Sequence, residues 1–307
     1  MPYYDSNQNQ RSGSGFFGRL AIGVIIAIVG WLMYMGQVEE NPVTKEKQHV
    51  SISPAQEIRL GLESAPQMSR EMGGELSNSD PLTRFVQDVG QHLVDSTVAK
   101  NSPWKFQFHL LADTQTVNAF ALPGGQIFIT LGLLNGLKTE AELAGVLAHE
   151  MGHVIERHSA QQMATNQFGQ ILTVAVGTAA SNQSTAAYQI AAVVNQAMQL
   201  SYSREDESQA DTWGLKLMES AGFDPYAMIS VMQTLKAASK GGDGGGMDIF
   251  QSHPNPDLRM KQINAYLLKN PPPTGLSQGR QLSSVIRRSN TSDRTDSLES
   301  IFRFPSR

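Results

Sequence analysis

The sequence predicts an α+β fold that is predominantly helical, with a small sheet and one N-terminal transmembrane helix. Most apolar residues recur at the three- and four-residue spacing of helices, and only two short segments have strand character. One uncharged apolar run lies near the start. Charged residues make up only 17% of the 307 residues and hydrophobic residues 40%, which excludes a wholly disordered chain. The predicted parts are a polar leader at 1–19, an anchor at 20–37, a folded domain at 50–270 and a tail at 271–307.

The composition excludes several classes of function. The net charge is −4, from 24 basic and 28 acidic residues, whereas nucleic-acid binders usually carry a basic face. We therefore expect no nucleic-acid partner. The chain has no cysteine, which excludes disulfides, thiolate metal sites and cysteine nucleophiles.

The apolar run from Leu20 to Gly36 contains seventeen residues without a charge, which as a helix span about 25 Å. Trp31 and Tyr34 stand near its far end, where amphipathic aromatic residues favour the headgroup region. A cleaved signal peptide and a buried soluble helix are the alternatives. The run is longer than a signal peptide's usual apolar region and no small-residue cleavage site follows, which favours an anchor. Lys and Arg are equally numerous on the two sides of the run, so their distribution does not set the orientation of the anchor. The short leader favours an N-terminus inside the cell and an exported domain.

The first part of the domain contains two predicted helices and two predicted strands. A helix over 54–62 follows Ser53, and a second begins at Asp80-Pro81, with Asp as the N-cap. Residues 105–111 alternate like a half-buried strand, and 126–130 form a second strand after a Pro-Gly-Gly turn.

A capping box at Thr139 and Glu142 opens the next helix, which extends to His158. Apolar runs such as Ile171–Ala180 are too short to span a membrane, so we expect the helices that contain them to be buried in the core. The tail is rich in Pro, Ser and Arg, which predicts disorder; a docking segment for a partner is the alternative. Further helices are predicted at 161–180, 185–203, 204–220, 225–239 and 255–269, with a glycine-rich loop at 241–246.

The helix after Thr139 contains the motif HExxH. His149 and His153 are four residues apart and lie on one helical face, so both imidazoles can reach one metal ion. Glu150 projects beside that ion, where it can take a proton from water. Zinc suits two neutral imidazoles and one oxygen ligand, with one position left open in a catalytic site.

A third ligand is expected from the acidic start of the helix at 204–220. Glu207 and Asp211 are one turn apart, so Glu207 can bind a metal while Asp211 accepts the outer N–H of a ligating imidazole. The spacing does not exclude Glu205 and Asp206 as rival ligands. Without the HExxH motif, these acids would be read as a solvated face.

Four motifs in order resemble the M48 family of zinc metallopeptidases. They are the HExxH motif followed by Val154, Arg157 and His158; the S-R-x-x-E-x-x-A-D segment at 203–211; Asn118 to Gly125 upstream; and Ser252-His253-Pro254 downstream. The resemblance covers about 50–270 and implies a mostly helical gluzincin domain with one Zn²⁺ per chain. It implies that His149, His153 and Glu207 bind the zinc ion and that Glu150 is the general base. Asp211 would contact a ligand and not the zinc ion itself.

The resemblance also implies where a substrate binds. The strand at 126–130 would be an active-site edge strand that pairs with extended polypeptide substrates. His253 would either stabilise the oxyanion or cap the metal as a reversible fourth ligand. An ordinary loop histidine is the alternative for His253, and a turn residue for Asn118. The expected substrate-binding residues are Asn118, Ala119, Gln126, Ile127, Phe128 and Ile129.

These inferences predict a membrane-anchored zinc endopeptidase that hydrolyses misfolded or mis-assembled envelope proteins with metal-activated water. The expected location is the bacterial inner membrane, with a single pass and the catalytic domain in the periplasm. Polypeptide substrates and membrane lipid are the expected partners, and a homo-oligomer or a tail-binding partner is left open. The alternatives are a chaperone-like assembly factor whose proteolysis is incidental, and a structural metal site.

Overall fold

The computed structural model describes residues 13–179, 202–239, 249 and 253–287. Within these residues the chain is mostly helical with two small sheets, which confirms the predicted α+β class. The predicted glycine-rich loop at 241–246 lies outside the described residues, as does nearly all of the helix predicted at 185–203. Residue contacts divide the chain into a smaller unit (1–40, 46–51 and 160–200) and a larger unit (41–45, 52–159 and 201–307).

The smaller unit contains α1 (Gly13–Gly36), an antiparallel strand pair and most of α6 (His158–Ala179). The strands are β1 (Val38–Glu40) and β2 (Lys47–His49). Helix α1 contains the predicted anchor, and its segment Phe17–Gly36 is long and apolar enough to cross a membrane. The prediction that the helix at 161–180 is buried in the core is wrong for the described side chains of its second half. Leu172 and Val174 are exposed.

Helix α2 (Pro54–Glu71) begins at the predicted cap, where Ser53 and Gln56 form a capping box. It continues nine residues beyond the predicted end and includes Pro66. The buried positions Gly61, Ala65 and Ser69 recur every four residues, so one face of small side chains packs inward along its whole length. A Cβ at Gly61 would lie only 2.0 Å from the carbonyl oxygen of Pro123, which explains the glycine.

The larger unit has a three-stranded sheet in the order β3-β5-β4. Strand β3 (Gln107–Leu111) pairs in parallel with β5 (Gln126–Thr130), and β4 (Ala119–Leu122) pairs antiparallel with β5. The prediction that 126–130 is the edge strand is therefore wrong. The chain reverses at Gly124 and Gly125, which have φ of 80° and 107°, so the preceding residues fold back and occupy the edge.

Helix α3 (Pro81–Asp95) covers the sheet, and α4 (Leu131–Gly136) connects β5 to α5 (Glu140–Ile155). Helix α5 is central: every residue from Ala141 to Ile155 is buried. It packs along α7 (Arg204–Ser220), and glycines bring the two backbones close together. A Cβ at Gly152 would lie 2.8 Å from the carbonyl oxygen of Ala210. This approach carries the histidines of α5 to the acids of α7.

The remaining helices are α8 (Ala227–Ser239) and α9 (Pro256–Lys269), and an ordered segment follows them. The prediction that disorder begins at 271 is wrong for the described residues up to 287. Arg280 pairs with Glu140 at the start of α5, and Leu282 is buried in the core. Residues 288–307 of the predicted tail lie outside the described residues.

Candidate metal centre and active site

The two histidines of the HExxH motif face the same point from the middle of α5. Thr139 caps the helix by accepting a hydrogen bond from the backbone N–H of Glu142. His149 and His153 are both buried, and their Nε2 atoms are 3.1 Å apart. The spacing inferred from the sequence therefore brings both imidazoles to one site, as expected for residues one helical turn apart.

Helix α7 supplies the carboxylates opposite these histidines. Glu207 is buried, with Oε2 lying 3.5 Å from Nε2 of His149 and Oε1 lying 3.6 Å from Nε2 of His153. Of the two rival acids, Glu205 is exposed and Asp206 accepts a hydrogen bond from the backbone N–H of Ser203. Glu207 is therefore the carboxylate of this group that the structure brings to the histidines.

His253 completes the cluster. Its Nδ1 lies 2.8 Å from Oε1 of Glu207 and 3.4 Å from Nε2 of His149. One donor atom from each of His149, His153, Glu207 and His253 lies within 4.8 Å of all the others, and all four residues are buried. Ligands arranged tetrahedrally at zinc–ligand distances of about 2.0–2.1 Å are about 3.3 Å apart. The spacing of the donors therefore suits a four-coordinate metal ion.

Hydrogen bonds orient both histidines of α5 toward the cluster. Nδ1 of His149 lies 3.0 Å from Oδ1 of Asp211, so this nitrogen donates, and in the neutral imidazole the lone pair lies on Nε2. Nδ1 of His153 lies 2.9 Å from Nδ1 of His158, whose Nε2 donates to Oε1 of Gln209 at 2.9 Å. Neutral His158 therefore accepts from His153, which leaves Nε2 of His153 free to bind a metal. Burial lowers the pKa of His158, in agreement with the neutral form.

A buried arginine neutralises the carboxylates. Arg259 on α9 places Nη1 2.7 Å from Oε2 of Glu207 and Nη2 2.6 Å from Oδ1 of Asp211. Burial by itself would raise the pKa of Glu207, but the charges of His253 and Arg259 lower it well below its usual range. The pKa of Asp211 is likewise lowered against burial by Arg259. Both carboxylates are therefore anionic, as metal binding requires.

The two histidines of α5 differ in protonation before a metal binds. Burial and Arg259 oppose the charge on His149, but hydrogen bonds to Asp211 and Glu207 outweigh them and raise its pKa to about 9. Burial, followed by repulsion from His149, lowers the pKa of His153. A metal ion must therefore displace a proton from His149.

Glu150 and His253 present polar atoms without a hydrogen-bond partner. Oε2 of Glu150 and Nε2 of His253 are both buried and have no hydrogen-bond partner among the described residues, and Oε1 of Glu150 lies 3.6 Å from Nε2 of His253. A polar atom that is buried without a hydrogen bond destabilises the folded protein. A water molecule or a polar reactant beside the cluster would satisfy them, so the surroundings of Glu150 suit a reacting group.

The structure separates the residues expected to bind substrate. Gln126, Ile127, Phe128 and Ile129 are buried in the central strand, and both edges of that strand are paired, so the prediction that they form an exposed binding edge is wrong. Phe128 is stacked between His109 and Phe120. Asn118 and Ala119 lie at the start of the edge strand β4, and Oδ1 of Asn118 is buried with no hydrogen-bond partner in the part of the chain that the structure describes.

Sequence reasoning assigned no role to Arg259, His158, Gln209 or Tyr202. His158 was part of the motif after HExxH, and Arg259 follows His253 by six residues on a predicted helix. Neither position indicates where the side chain points. Tyr202 stacks on His153 with ring centroids 4.0 Å apart, and burial raises its pKa above its usual range. Ser252 lies outside the described residues.

Comparison with known proteins places these features in a family. Residues 82–267 match the family model of peptidase family M48. The chain is 30% identical to the mitochondrial metalloendopeptidase OMA1 of Schizosaccharomyces pombe, over 86% of this chain and 75% of that protein. It is 33% identical to the beta-barrel assembly-enhancing protease of Yersinia pestis and 26% identical to that of Escherichia coli K12. These matches cover 65% and 68% of this chain but only 42% and 43% of those two proteins.

The matched segment covers more than half of the chain and includes α5, α7 and His253. The four-residue cluster that could hold a metal ion thus lies wholly inside it. The chain therefore belongs to peptidase family M48, a family of metallopeptidases.

Proposed function

We propose that this protein is a membrane-anchored, zinc-dependent endopeptidase. The observation that carries the proposal is the convergence of His149, His153 and Glu207, from two helices, beside the unsatisfied carboxylate oxygen of Glu150. Two imidazoles and a carboxylate are a ligand set that catalytic zinc sites use. A bound zinc ion would polarise the scissile carbonyl and lower the pKa of water.

The side chains around the cluster have distinct roles in this proposal. Glu150 takes a proton from the attacking water and returns it to the leaving amine. Asp211 and His158 hold the imidazoles of His149 and His153 in the tautomers that present Nε2. Arg259 keeps both carboxylates anionic while they are buried.

For His253 we propose the role of a reversible cap. Its Nδ1 belongs to the same donor cluster as the three ligands and lies closest to Glu207. In that position it would serve as a fourth ligand to a bound metal, so the imidazole would have to move before a reacting carbonyl could bind there. A fourth permanent ligand would instead make a structural metal site, but such a site gives no role to the unsatisfied Glu150.

We propose that substrates bind as extended polypeptides along β4. Within the described residues this edge strand pairs with β5 on one side only, so its other edge is suited to backbone pairing with a peptide. Asn118, at the start of β4, has a buried oxygen available to a backbone N–H. Pairing through the backbone requires little side-chain selectivity, which suits substrates that are recognised by being unfolded.

We propose misfolded or mis-assembled envelope proteins as the substrates and the bacterial inner membrane as the location. The names of the bacterial relatives, which are proteases that enhance beta-barrel assembly, support an envelope role. The apolar segment Phe17–Gly36 supports a single-pass anchor, with the larger unit in the periplasm. A chaperone-like assembly factor remains the second candidate because an open strand edge can also hold clients.

Metal analysis and a cleavage assay on the same preparation test the proposal. The full chain is purified in detergent, its zinc content is measured, and casein cleavage is followed with and without a chelator. We expect one zinc per chain and cleavage that the chelator abolishes and added zinc restores. Cleavage that survives complete removal of metal would refute the proposal.

A further inference from the structure

The segment from His158 to Ser203 contains 46 consecutive residues without Asp, Glu, Lys or Arg, in a chain in which 17% of residues are charged. Its first part forms α6, in which polar residues dominate up to Gln167 and apolar residues dominate from Phe168. A helix that remains uncharged over such a length is typical of burial in protein or in lipid. The exposure of its side chains distinguishes these two environments.

The described side chains in the second half of α6 are not buried in protein. Leu172 is 38% exposed and Val174 is 46% exposed. The hydroxyl between them, that of Thr173, donates to the carbonyl oxygen of Gly169 at 2.9 Å, so its hydrogen bond is satisfied within the helix. An exposed surface of apolar side chains and internally satisfied hydroxyls is what a helix needs in contact with lipid.

Within the smaller unit, α6 runs antiparallel along the last turns of α1. The rings of Tyr34 and Phe168 stack with centroids 4.9 Å apart, and one turn earlier in α1 Gly30 faces Ile171. A Cβ at Gly30 would lie 2.4 Å from Cγ2 of Ile171, so the glycine allows the close approach. Small residues serve the same purpose where helices pack inside membranes.

The aromatic residues mark one level along both helices. Tyr34 stacks on His49 as well as on Phe168, near the end of the candidate span Phe17–Gly36. Aromatic residues with polar atoms concentrate at the membrane–water interface. Val174 lies six residues beyond Phe168, about 9 Å further along α6, and therefore at a depth that α1 already occupies.

We propose that the second half of α6, residues 171–179, enters the lipid bilayer beside α1. The inference rests on the proposed membrane anchoring of α1. From the level of Phe168, Ala179 is about 16 Å along the helix, roughly half of a hydrocarbon core of about 30 Å. The described part of α6 thus reaches about the middle of the membrane, and it adds a second lipid contact to the anchor.

Depth-dependent fluorescence quenching tests this inference, and the cysteine-free chain permits single labels. The variants are Val174→Cys in α6, Ile28→Cys in α1 and Leu268→Cys on α9, at positions that are 46%, 51% and 81% exposed. Each is labelled with the fluorophore NBD and reconstituted as the full chain in phosphatidylcholine–phosphatidylglycerol vesicles. Casein cleavage by each labelled protein reports that it is folded.

We expect brominated lipids to quench the labels at 174 and 28 at least twofold more strongly than the label at 268. Quenching at 28 but not at 174 would overturn the inference and leave the anchor intact. No quenching at 28 would refute the anchor, and the inference with it. A blue-shifted but unquenched label at 174 would indicate that protein, such as a second copy of the chain, covers α6, which also overturns the inference.

A charge substitution provides a second test of the same segment. Leu172→Asp in the Val174→Cys background should reduce quenching at 174 at least twofold, because a short charged side chain cannot reach the interface from that depth. The matched variant Leu268→Asp should leave quenching at 174 unchanged. Equal quenching with and without Leu172→Asp would contradict insertion.

Discussion

Arg259 and Asp211 form a buried bidentate ion pair between α9 and α7. Nε of Arg259 donates to Oδ2 of Asp211 at 2.9 Å and Nη2 donates to Oδ1 at 2.6 Å. The same Oδ1 lies 3.0 Å from Nδ1 of His149. The orientation of a candidate metal ligand therefore depends on a helix that begins after His253, and the pair connects three separate segments of the chain.

Replacing this arginine should destabilise the metal-free protein more than the zinc-loaded protein. Arg259→Met leaves Glu207 and Asp211 as neighbouring buried anions, and losing one partner of a buried pair costs about 3–5 kcal/mol. A bound zinc ion supplies compensating charge, so its presence should reduce the loss. Thermal unfolding with zinc and with chelator measures both effects. The control Arg59→Met removes an exposed pair and should cost less than about 1 kcal/mol. Equal losses in both conditions would contradict this role.

His158 should control metal affinity by positioning His153. His158→Ala removes the acceptor at 2.9 Å from Nδ1 of His153, and such outer partners are typically worth about 10–100-fold in affinity. We therefore expect zinc to bind the variant about 10–100-fold more weakly in competition with a chromogenic chelator. His109→Ala, which alters a histidine in the sheet, is the control. An unchanged zinc affinity for His158→Ala would refute the assignment.

Glu150→Gln should abolish catalysis and retain the metal. Glu150 is not among the four clustered donors, so the zinc content should match the wild type, while loss of a general base lowers the rate by about 10²–10⁴-fold. The assay is casein cleavage at equal zinc occupancy. In cells the same variant separates the two candidate functions. A wild-type phenotype with inactive protein would favour the chaperone-like factor over the endopeptidase.

His253→Ala should raise cleavage severalfold if His253 caps the metal. Removing the imidazole would leave three donors for a metal ion and free the space beside Glu207 for substrate. Zinc content and casein cleavage are measured together, with His109→Ala again as the control. Lost cleavage at full zinc content would assign His253 to oxyanion stabilisation and contradict the cap.

The pair between Glu140 and Arg280 should make a pH-dependent contribution to stability. Partial burial opposes ionisation of Glu140, but hydrogen bonds from Arg280 outweigh it, so the pKa of Glu140 is lowered. The contribution is therefore fully present above the ordinary pKa of a glutamate and is lost as the pH falls through the lowered value. Glu140→Gln should cost up to about 1 kcal/mol at pH 7, because Arg280 is largely exposed, and less at pH 4. Denaturant unfolding at both pH values measures this, with Glu63→Gln as the exposed control. A loss that grows at low pH would contradict the sign.

Much of the candidate centre was predictable because its signals are local. Two histidines four residues apart on a capped helix share a face in any fold, and Glu207 and Asp211 are related in the same way. The edge strand was not predictable at that level. The β-branched residues of 126–130 predict a strand. Which strands pair with it depends on the reversal at Gly124–Gly125 and on the position of β3, which comes earlier in the chain.

The sequence by itself determined the elements: a capped helix with HExxH, an acidic helix start, a short β-rich segment and an apolar N-terminal run. These follow from periodicity, capping and composition, which act over a few residues. Only the tertiary structure decided that Arg259 and the ring of His158 meet the two helices, that β4 forms the edge, and that 271–287 packs on α5. Those outcomes depend on close packing between distant segments, such as Gly152 against Ala210, where the absence of a side chain sets the distance between two helices.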